Sequence, residues 1–303
     1  MKFSNPDMLL HIAMGDAYAA AVEYVKRENH LDLYRDALSF QKYLQHPTHT
    51  KLLPGMYTDD TQQSIAISEV LLRNQNADIA DYLNAFYDVF KRDPRDGYAR
   101  GYQSLIESVH SHAEFRSRII PNSNKNGAAM RSVPIGVIKD VSRLVDIAGV
   151  QASATHASWG GVHSSVAVAL MSHFALYHHQ SFLYMREWCS QYSTAFDSFK
   201  TPWNGPVVGD SKNPKDMGVG MNTAWAVCTL LEQESSMMGI MTRLIEWGGD
   251  TDSVAAIAWG IAGARYQKES IPEFFERDLE VGNTYGPVFL KNLGKRLMNI
   301  ENV

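Results

Sequence analysis

The sequence predicts an all-α protein, a compact bundle of many helices in one domain that spans residues 1–303. Apolar residues recur at helical spacing along most of the chain, and short turn-forming clusters separate these stretches. Of the 303 residues, 45% are hydrophobic, which is enough to build a sizeable core. We find no internal repeat, heptad array or low-complexity tract that would indicate another architecture.

The helices follow from the spacing of apolar residues, taken in chain order. An apolar helix is predicted across residues 15–24. After Thr61, four apolar residues recur three and four positions apart with polar residues between them, as an amphipathic helix requires. Similar patterns predict helices at 82–90, 105–109, 165–176, 223–231 and 241–247. Turn clusters lie between them at 46–47, 53–55, 121–124 and 204–206.

The overall charge limits the partners that the chain can bind. A net charge of -5 and a pI of about 6.1 argue against a general attraction to nucleic acid phosphates. A small anionic ligand in a local basic pocket remains compatible with this charge. We therefore expect no nucleic acid partner, and the sequence makes no prediction about the oligomeric state.

The cysteines and the N-terminus favour a cytoplasmic protein. Cys189 and Cys228 are far apart in apolar helical stretches, which predicts buried free thiols rather than a disulfide or a metal clip. Asp7, His11 and Asp16 interrupt the region where a signal peptide would need an apolar run. The longest apolar run is too short to span a bilayer, so we expect no membrane association.

Two adjacent carboxylates precede the helix after Thr61. In this first acidic motif, Thr58, Asp59 and Asp60 lead directly into the helix. One interpretation is a simple helix start, with Thr58 or Asp59 as the N-cap and acidic residues favoured by the helix dipole. Taken alone, the motif favours that interpretation.

A second acidic motif has the same design and changes the balance. Asp250, Asp252 and Ser253 precede another helix and follow two glycines that permit tight turns. Carboxylates and hydroxyls without nearby thiolates suit Mg²⁺, Mn²⁺ or Ca²⁺ better than zinc. If the two motifs converge, their like charges repel unless cations lie between them. The pair therefore predicts a two-metal site.

Two further features belong to this hypothesis. The helix after Ser253 is rich in alanine and glycine, which predicts a tightly packed central helix that holds the ligands rigidly. Glu23 is an acidic residue on the otherwise apolar opening helix. It could simply reach solvent, but burial near the metals would suit a role in proton transfer or in positioning water.

Together these motifs resemble the ADP-ribosylglycohydrolase family, which includes the hydrolase that reactivates modified dinitrogenase reductase and the animal ADP-ribosyl-acceptor hydrolases. The resemblance covers nearly the whole chain, and its motifs occur in the family's order at residues 15–23, 58–61, 126–131, 155–156 and 248–253, with an isoleucine-proline pair at 271–272.

The resemblance implies the family's single all-α orthogonal bundle, with two Mg²⁺ or Mn²⁺ ions between the motif loops. Carried over by position, the metal ligands would be Thr58, Asp59, Asp60, Asp250, Asp252 and Ser253. The substrate-binding residues would be Asn126, Gly127, Ala128, Arg131 and His156, with the backbone amides of residues 126–128 around a diphosphate. The catalytic residues would be Glu23, Asp59 and Asp60.

The implied activity is hydrolysis of the glycosidic bond between ADP-ribose and an acceptor on a modified protein or small molecule. Arginine is the acceptor that we expect first, while serine, a nucleobase or a metabolite could leave from the same ribose. Two alternatives stay open. A non-catalytic ADP-ribose-binding or crystallin-like protein shares the implied fold, and a di-metal phosphate-ester hydrolase would use similar carboxylates.

Overall fold

A computed structural model describes residues 3–208 and 217–300 of the chain, and it confirms the all-α prediction. These residues contain two isolated β-bridges and no strand. The helices are α1 Met8–Ala19, α2 Leu31–Ala37, α3 Asp59–Arg73, α4 Ile79–Arg92, α5 Arg100–Ser108, α6 His112–Arg118, α7 Gly127–Met130, α8 Val141–Ser153, α9 Trp159–Tyr177, α10 Met185–Ser190, α11 Val219–Gln233, α12 Met237–Trp247, α13 Thr251–Ala262, α14 Phe274–Arg277 and α15 Pro287–Met298.

Helices α1, α9 and α13 form the centre of the bundle. Every residue of α13 is buried, and α1 is buried except at His11. Helices that are apolar on all sides belong in a core, since no face prefers water. Helix α1 packs along α13 so closely that a Cβ added to Gly15 would lie 2.7 Å from the carbonyl oxygen of Ala255. The alanine-rich helix is therefore the tightly packed central element that its composition predicts.

Amphipathic helices surround this centre. In α4 one face is buried, including Tyr82, Phe86 and Phe90, while the other faces solvent. A capping box between Asp78 and Asp81 fixes its start by pairing two N–H groups that the helix leaves free. The predicted stretch at 105–109 overruns its helix by one residue, because α5 ends at Ser108.

The two cysteines are buried and free, as predicted. Among the described helices, none combines the length and the apolar character that a membrane crossing requires.

Three helix ends meet at one side of the core. The hydroxyl of Thr251, at the start of α13, donates to the carbonyl of Ala19 at the end of α1, 2.8 Å away. The start of α3 bonds to Asp16 in the last turns of α1. The two acidic motifs are thereby brought to the same place.

Candidate active site

The first acidic motif is both a helix start and a source of ligands. Thr58 is the N-cap of α3, and its hydroxyl accepts a hydrogen bond from the backbone N–H of Asp60 at 3.4 Å. Asp59 and Asp60 occupy the first turn, where the helix dipole favours negative charge. Asp60 is only 2% exposed, so its carboxylate is held inside the protein.

A fully buried carboxylate on α1 holds this motif in place. Asp16 accepts the backbone N–H groups of Thr58 and Thr61, each at 3.0 Å. It also accepts both hydroxyls, at 2.9 Å and 2.6 Å. We did not predict this role from the sequence, although a lone carboxylate in the apolar helix α1 was a signal for it.

A buried ion pair supports the residue before the motif. The Arg95 guanidinium donates to the carbonyl of Tyr57 and to the Glu280 carboxylate, both at 2.7 Å. Glu280 in turn accepts the backbone N–H of Tyr57 at 2.9 Å. The guanidinium also lies 3.8 Å from the centre of the Tyr57 ring. The approach to Thr58 is therefore fixed by hydrogen bonds on both sides of the peptide.

Glycines shape the second acidic motif. Gly248 and Gly249 have φ values of 74° and 82°, a region that favours glycine. A Cβ on Gly249 would lie 2.3 Å from the carbonyl oxygen of Val207, which accepts the Asp250 N–H at 2.8 Å. Asp250 is the N-cap of α13 but makes no side-chain cap bond, so its carboxylate stays available to the site.

The structure brings the two motifs together around Asp252. Oxygen atoms of Asp16, Asp60 and Asp252 lie within 4.8 Å of one another, and so do those of Glu23, Asp250 and Asp252. Asp252 is common to both groups, and Ser253, the next residue on α13, is also buried. Asp59 is adjacent in sequence but belongs to neither group.

Glu23 lies beyond the opening helix, which corrects the sequence interpretation. Helix α1 ends at Ala19 and a single 3-10 turn covers Ala20–Val22, so Glu23 starts a loop. Tyr24 then adopts φ 50°, a strained value for a residue with a side chain. The tertiary bonds of Tyr24 prevail over the helical preference of the alanines.

Tyr24 and His46 anchor the loop that carries Glu23. The Tyr24 N–H donates to the carbonyl of Gly249 at 2.8 Å, and its hydroxyl donates to Asp250 Oδ2 at 2.6 Å. His46 Nδ1 accepts the backbone N–H groups of Thr48 and His49, so the proton of the neutral ring is on Nε2. That Nε2–H points to the Glu23 carbonyl at 3.0 Å.

The carboxylates strongly perturb one another. Burial, followed by neighbouring negative charge, raises the pKa values of Glu23, Asp60 and Asp252 well above their ordinary values. Burial raises the pKa of Asp16 to about 6 despite its hydrogen bonds from Thr61 and Thr58. Burial and the charge of Asp16 raise the pKa of Asp59 to about 7.

These residues fit divalent cations. Asp60 Oδ1 is buried and has no hydrogen-bond partner among the described residues. The ligand atoms that the two carboxylate groups offer are all carboxylate oxygens. Hard cations such as Mg²⁺ and Mn²⁺ prefer such donors, and they would relieve the repulsion that adds to burial in raising these pKa values.

The asparagine-glycine segment starts a short helix. Asn126 is the N-cap of α7, and the first N–H groups of a helix have no partner within it. The side-chain amide of Asn126 donates to the Thr223 hydroxyl at 3.4 Å, and Ala128 is buried. A Cβ on Gly127 would lie 2.8 Å from Cε1 of His156, so His156 lies directly against this turn.

Arg131 and His156 belong to one buried network. Arg131 is 1% exposed and directs its guanidinium to protein acceptors, including the Thr155 hydroxyl at 2.8 Å. Thr155 contacts His156 Nδ1 at 2.7 Å. The predicted substrate contacts of residues 126–128, Arg131 and His156 stay predictions. Arg131 is connected to His156 through the Thr155 hydroxyl.

Comparisons with known proteins agree with this geometry. A family model described as ADP-ribosylglycohydrolase matches residues 7–300. ADP-ribosylhydrolase ARH3 of Mus musculus is 25% identical over 307 residues, with 81% of each chain covered. ADP-ribosyl-[dinitrogen reductase] glycohydrolase of Rhodospirillum rubrum is 24% identical over 272 residues, covering 87% of this chain and 85% of the relative.

A solved structure titled ADP-ribosylglycohydrolase-related protein complex has the same fold. It superposes with a TM-score of 0.67 at 20% identity and covers 97% of this chain and 98% of its own. The resemblance found in the sequence motifs is therefore confirmed by a match over nearly the whole chain. The chain belongs to the ADP-ribosylglycohydrolase family.

Proposed function

We propose that the chain, acting as one domain over residues 1–303, hydrolyses the glycosidic bond between ADP-ribose and an acceptor in a metal-dependent reaction. Membership of the family supports hydrolysis of ADP-ribose linkages. The observation that carries the proposal is the convergence of both acidic motifs on Asp252, with Glu23 in the same cluster. The intact acidic set favours an enzyme over a non-catalytic crystallin-like protein.

The proposed cofactors are two Mg²⁺ or Mn²⁺ ions. Their ligands would come from the two motifs, namely Thr58, Asp59, Asp60, Asp250, Asp252 and Ser253. When bound, such ions orient ribose hydroxyls and polarise water. The chain supplies the rigid frame, because Asp16 fixes the start of α3 and α13 is enclosed on all sides.

Glu23 is the proposed proton carrier. Burial is the main cause of its raised pKa, and burial favours the protonated carboxyl that a general acid requires. In the reaction, a bond forms between a water oxygen and the anomeric carbon of the distal ribose. The bond from that carbon to the acceptor nitrogen or oxygen breaks, and Glu23 delivers a proton to the leaving atom. The proton released by the water restores the carboxyl.

The diphosphate is proposed to bind at residues 126–128. The free N–H groups at the start of α7 can face an anion, and Gly127 leaves room for a close approach. His156 lies against the same turn.

The acceptor proposed first is an arginine side chain of a modified protein. The surroundings of Glu23 are acidic, with Asp250 and Asp252 in the same group. A guanidinium leaving group is cationic once it receives the proton of Glu23, and the Glu23 carboxylate left behind would stabilise that charge. A serine hydroxyl gains no such charge, which makes it the informative comparison.

The test measures ADP-ribose released from ADP-ribosyl-arginine and ADP-ribosyl-serine proteins, with Mg²⁺ or Mn²⁺ present and with EDTA. We expect metal-dependent release from the arginine substrate, abolished in Asp252→Asn and retained in the exposed control Asp197→Asn. Release from serine alone would overturn the proposed acceptor. Metal-independent release would overturn the proposed cofactors. Release of AMP or phosphate would overturn the proposed reaction. Binding without release would indicate the crystallin-like alternative.

A further inference from the structure

Arg131 is buried below the surface where the substrate is proposed to bind. Its guanidinium stacks on the Phe86 ring, with 4.2 Å between the central carbon and the ring centre. Its Nε–H donates to Gln151 Oε1 at 2.6 Å, and another N–H donates to Gln63. Its Nη2 reaches the Thr155 hydroxyl at 2.8 Å. The cation is thus held by protein groups on several sides.

The amide of Gln151 can take one orientation in this network. Its nitrogen lies 3.0 Å from the carbonyl of Ala128, which can only accept a hydrogen bond. The same nitrogen lies 2.9 Å from the hydroxyl oxygen of Ser132 and 2.7 Å from that of Ser165, so acceptors surround its two protons. The amide oxygen therefore faces Arg131, which can only donate. Every partner in this part of the network is matched in polarity.

The direction of the next hydrogen bond follows from the same accounting. The buried hydroxyl of Thr155 receives a hydrogen bond from Arg131, so its own proton needs an acceptor. The acceptor within reach is His156 Nδ1, 2.7 Å away. If Nδ1 carried a proton instead, the Thr155 hydroxyl would lose its acceptor among the described residues. Nδ1 is therefore unprotonated.

The proton of the neutral His156 ring must then be on Nε2. Burial, with Arg131 and Lys125 nearby, lowers the pKa of His156 to about 3, so the ring is neutral near pH 7. Nε2 has no hydrogen-bond partner in residues 3–208 and 217–300. It lies against Gly127, where an added Cβ would be 3.0 Å from it. Gly161 lies close to the base of this side chain, where an added Cβ would be 2.6 Å from His156 Cβ.

We propose that Arg131 and Thr155 are positioning residues that fix His156 as an Nε2–H donor to the anionic diphosphate of ADP-ribose. The inference rests on the proposed function for the identity of the anion. Arg131 orients the Thr155 hydroxyl, Thr155 sets the tautomer of the ring, and the ring presents one N–H beside residues 126–128. Arg131 thereby contributes to substrate binding without touching the substrate.

The tautomer can be tested without any ligand. In protein labelled with ¹⁵N-histidine, two-bond proton–nitrogen NMR spectra distinguish Nε2–H from Nδ1–H rings, and His156→Gln identifies the His156 signals. We expect the native protein and Thr155→Ser to show the Nε2–H form alone. Thr155→Val should show a mixture or the Nδ1–H form. An Nδ1–H ring in the native protein, or an unchanged ring in Thr155→Val, would overturn the proposal that Thr155 sets the tautomer of His156.

Calorimetry with ADP-ribose tests the second half of the proposal. Thr155→Val should bind about tenfold more weakly, because a hydrogen bond to a charged group is lost. Thr155→Ser should bind as the native protein does, and His156→Gln, which keeps a donor, should bind better than His156→Leu. Equal affinity in all variants would overturn the assigned donor role. Native protein that shows the Nε2–H ring but does not bind ADP-ribose would refute the proposed function and this anion, but not the tautomer.

Mn²⁺ binding serves as the control for folding. Thr155 and His156 lie outside the two carboxylate groups that share Asp252, so Thr155→Val should keep the native affinity for Mn²⁺. A parallel loss of Mn²⁺ and ADP-ribose affinity in both Thr155→Val and Thr155→Ser would indicate general disruption and overturn the specific role of the hydroxyl.

Discussion

Replacing Asp59 by asparagine should stabilise the metal-free protein at alkaline pH. The pKa of Asp59 is raised from 3.8 to about 7 by burial and by the charge of Asp16, so the folded state resists ionisation of this group. The unfolded chain ionises at its ordinary pKa. A folded pKa above the unfolded one gives stability that is complete at low pH and is lost as the pH rises from about 4 to about 7.

The size of the effect follows from this difference in pKa. Above pH 7 the ionised Asp59 lowers the free energy of unfolding by at most about 4 kcal/mol, because each unit of difference between the folded and unfolded pKa corresponds to about 1.4 kcal/mol. At pH 5 the same relation leaves about 2 kcal/mol. For a chain of this length, about 4 kcal/mol corresponds to a change in Tm of roughly 8 °C.

The assay is thermal unfolding in EDTA from pH 4 to pH 8. Asp59→Asn should melt above the native protein at pH 8, and the difference should shrink as the pH falls. The exposed control Asp197→Asn should match the native protein throughout. Saturating Mn²⁺ should raise the native Tm and narrow the difference, because binding stabilises the folded state. Equal melting at pH 8 in EDTA, or a difference independent of pH, would refute the electrostatic reasoning.

Three other substitutions test the frame around the site. Gly15→Ala should lower the free energy of unfolding by about 1–3 kcal/mol in thermal unfolding, since the added carbon overpacks the contact with α13; an unchanged Tm would contradict that close approach. His46→Leu should lower kcat more than it changes KM, because the loop of Glu23 loses an anchor, and His46→Gln should recover most of the rate. Equal kinetics in both would exclude a positioning role. Arg95→Met should cost about 3–5 kcal/mol in urea unfolding, because Glu280 is left buried and unpaired. A loss under about 1 kcal/mol would count against the ion pair.

Local sequence rules predicted the two acidic motifs and the helices at 82–90, 165–176, 223–231 and 241–247, but they did not single out α8 and α15. Thr58 and Asp250 sit at helix starts, where short polar residues and carboxylates are favoured, and the glycines before Asp250 adopt the positive φ that their position suggests. These features depend on interactions within a few residues. They can therefore be predicted from the sequence.

Features that depend on residues distant in sequence could not be predicted in this way. Asp16 stood out as a polar residue in α1, but its partners Thr58 and Thr61 lie 42 and 45 positions away. Glu23 follows a run of alanines that favours helix, whereas bonds from Tyr24 to the second motif end the helix early. Packing between distant segments decided these outcomes.

The hydrogen bond between Tyr24 and Asp250 has a consequence for how the site responds to cations. The Tyr24 side chain is 52% exposed, yet its hydroxyl joins the loop of the acid Glu23 to a carboxylate of the second group. Two equilibria that share one bond are linked reciprocally. If cation binding changes the equilibrium between two positions of this loop by some factor, a shift of the loop between those positions changes the cation affinity by the same factor.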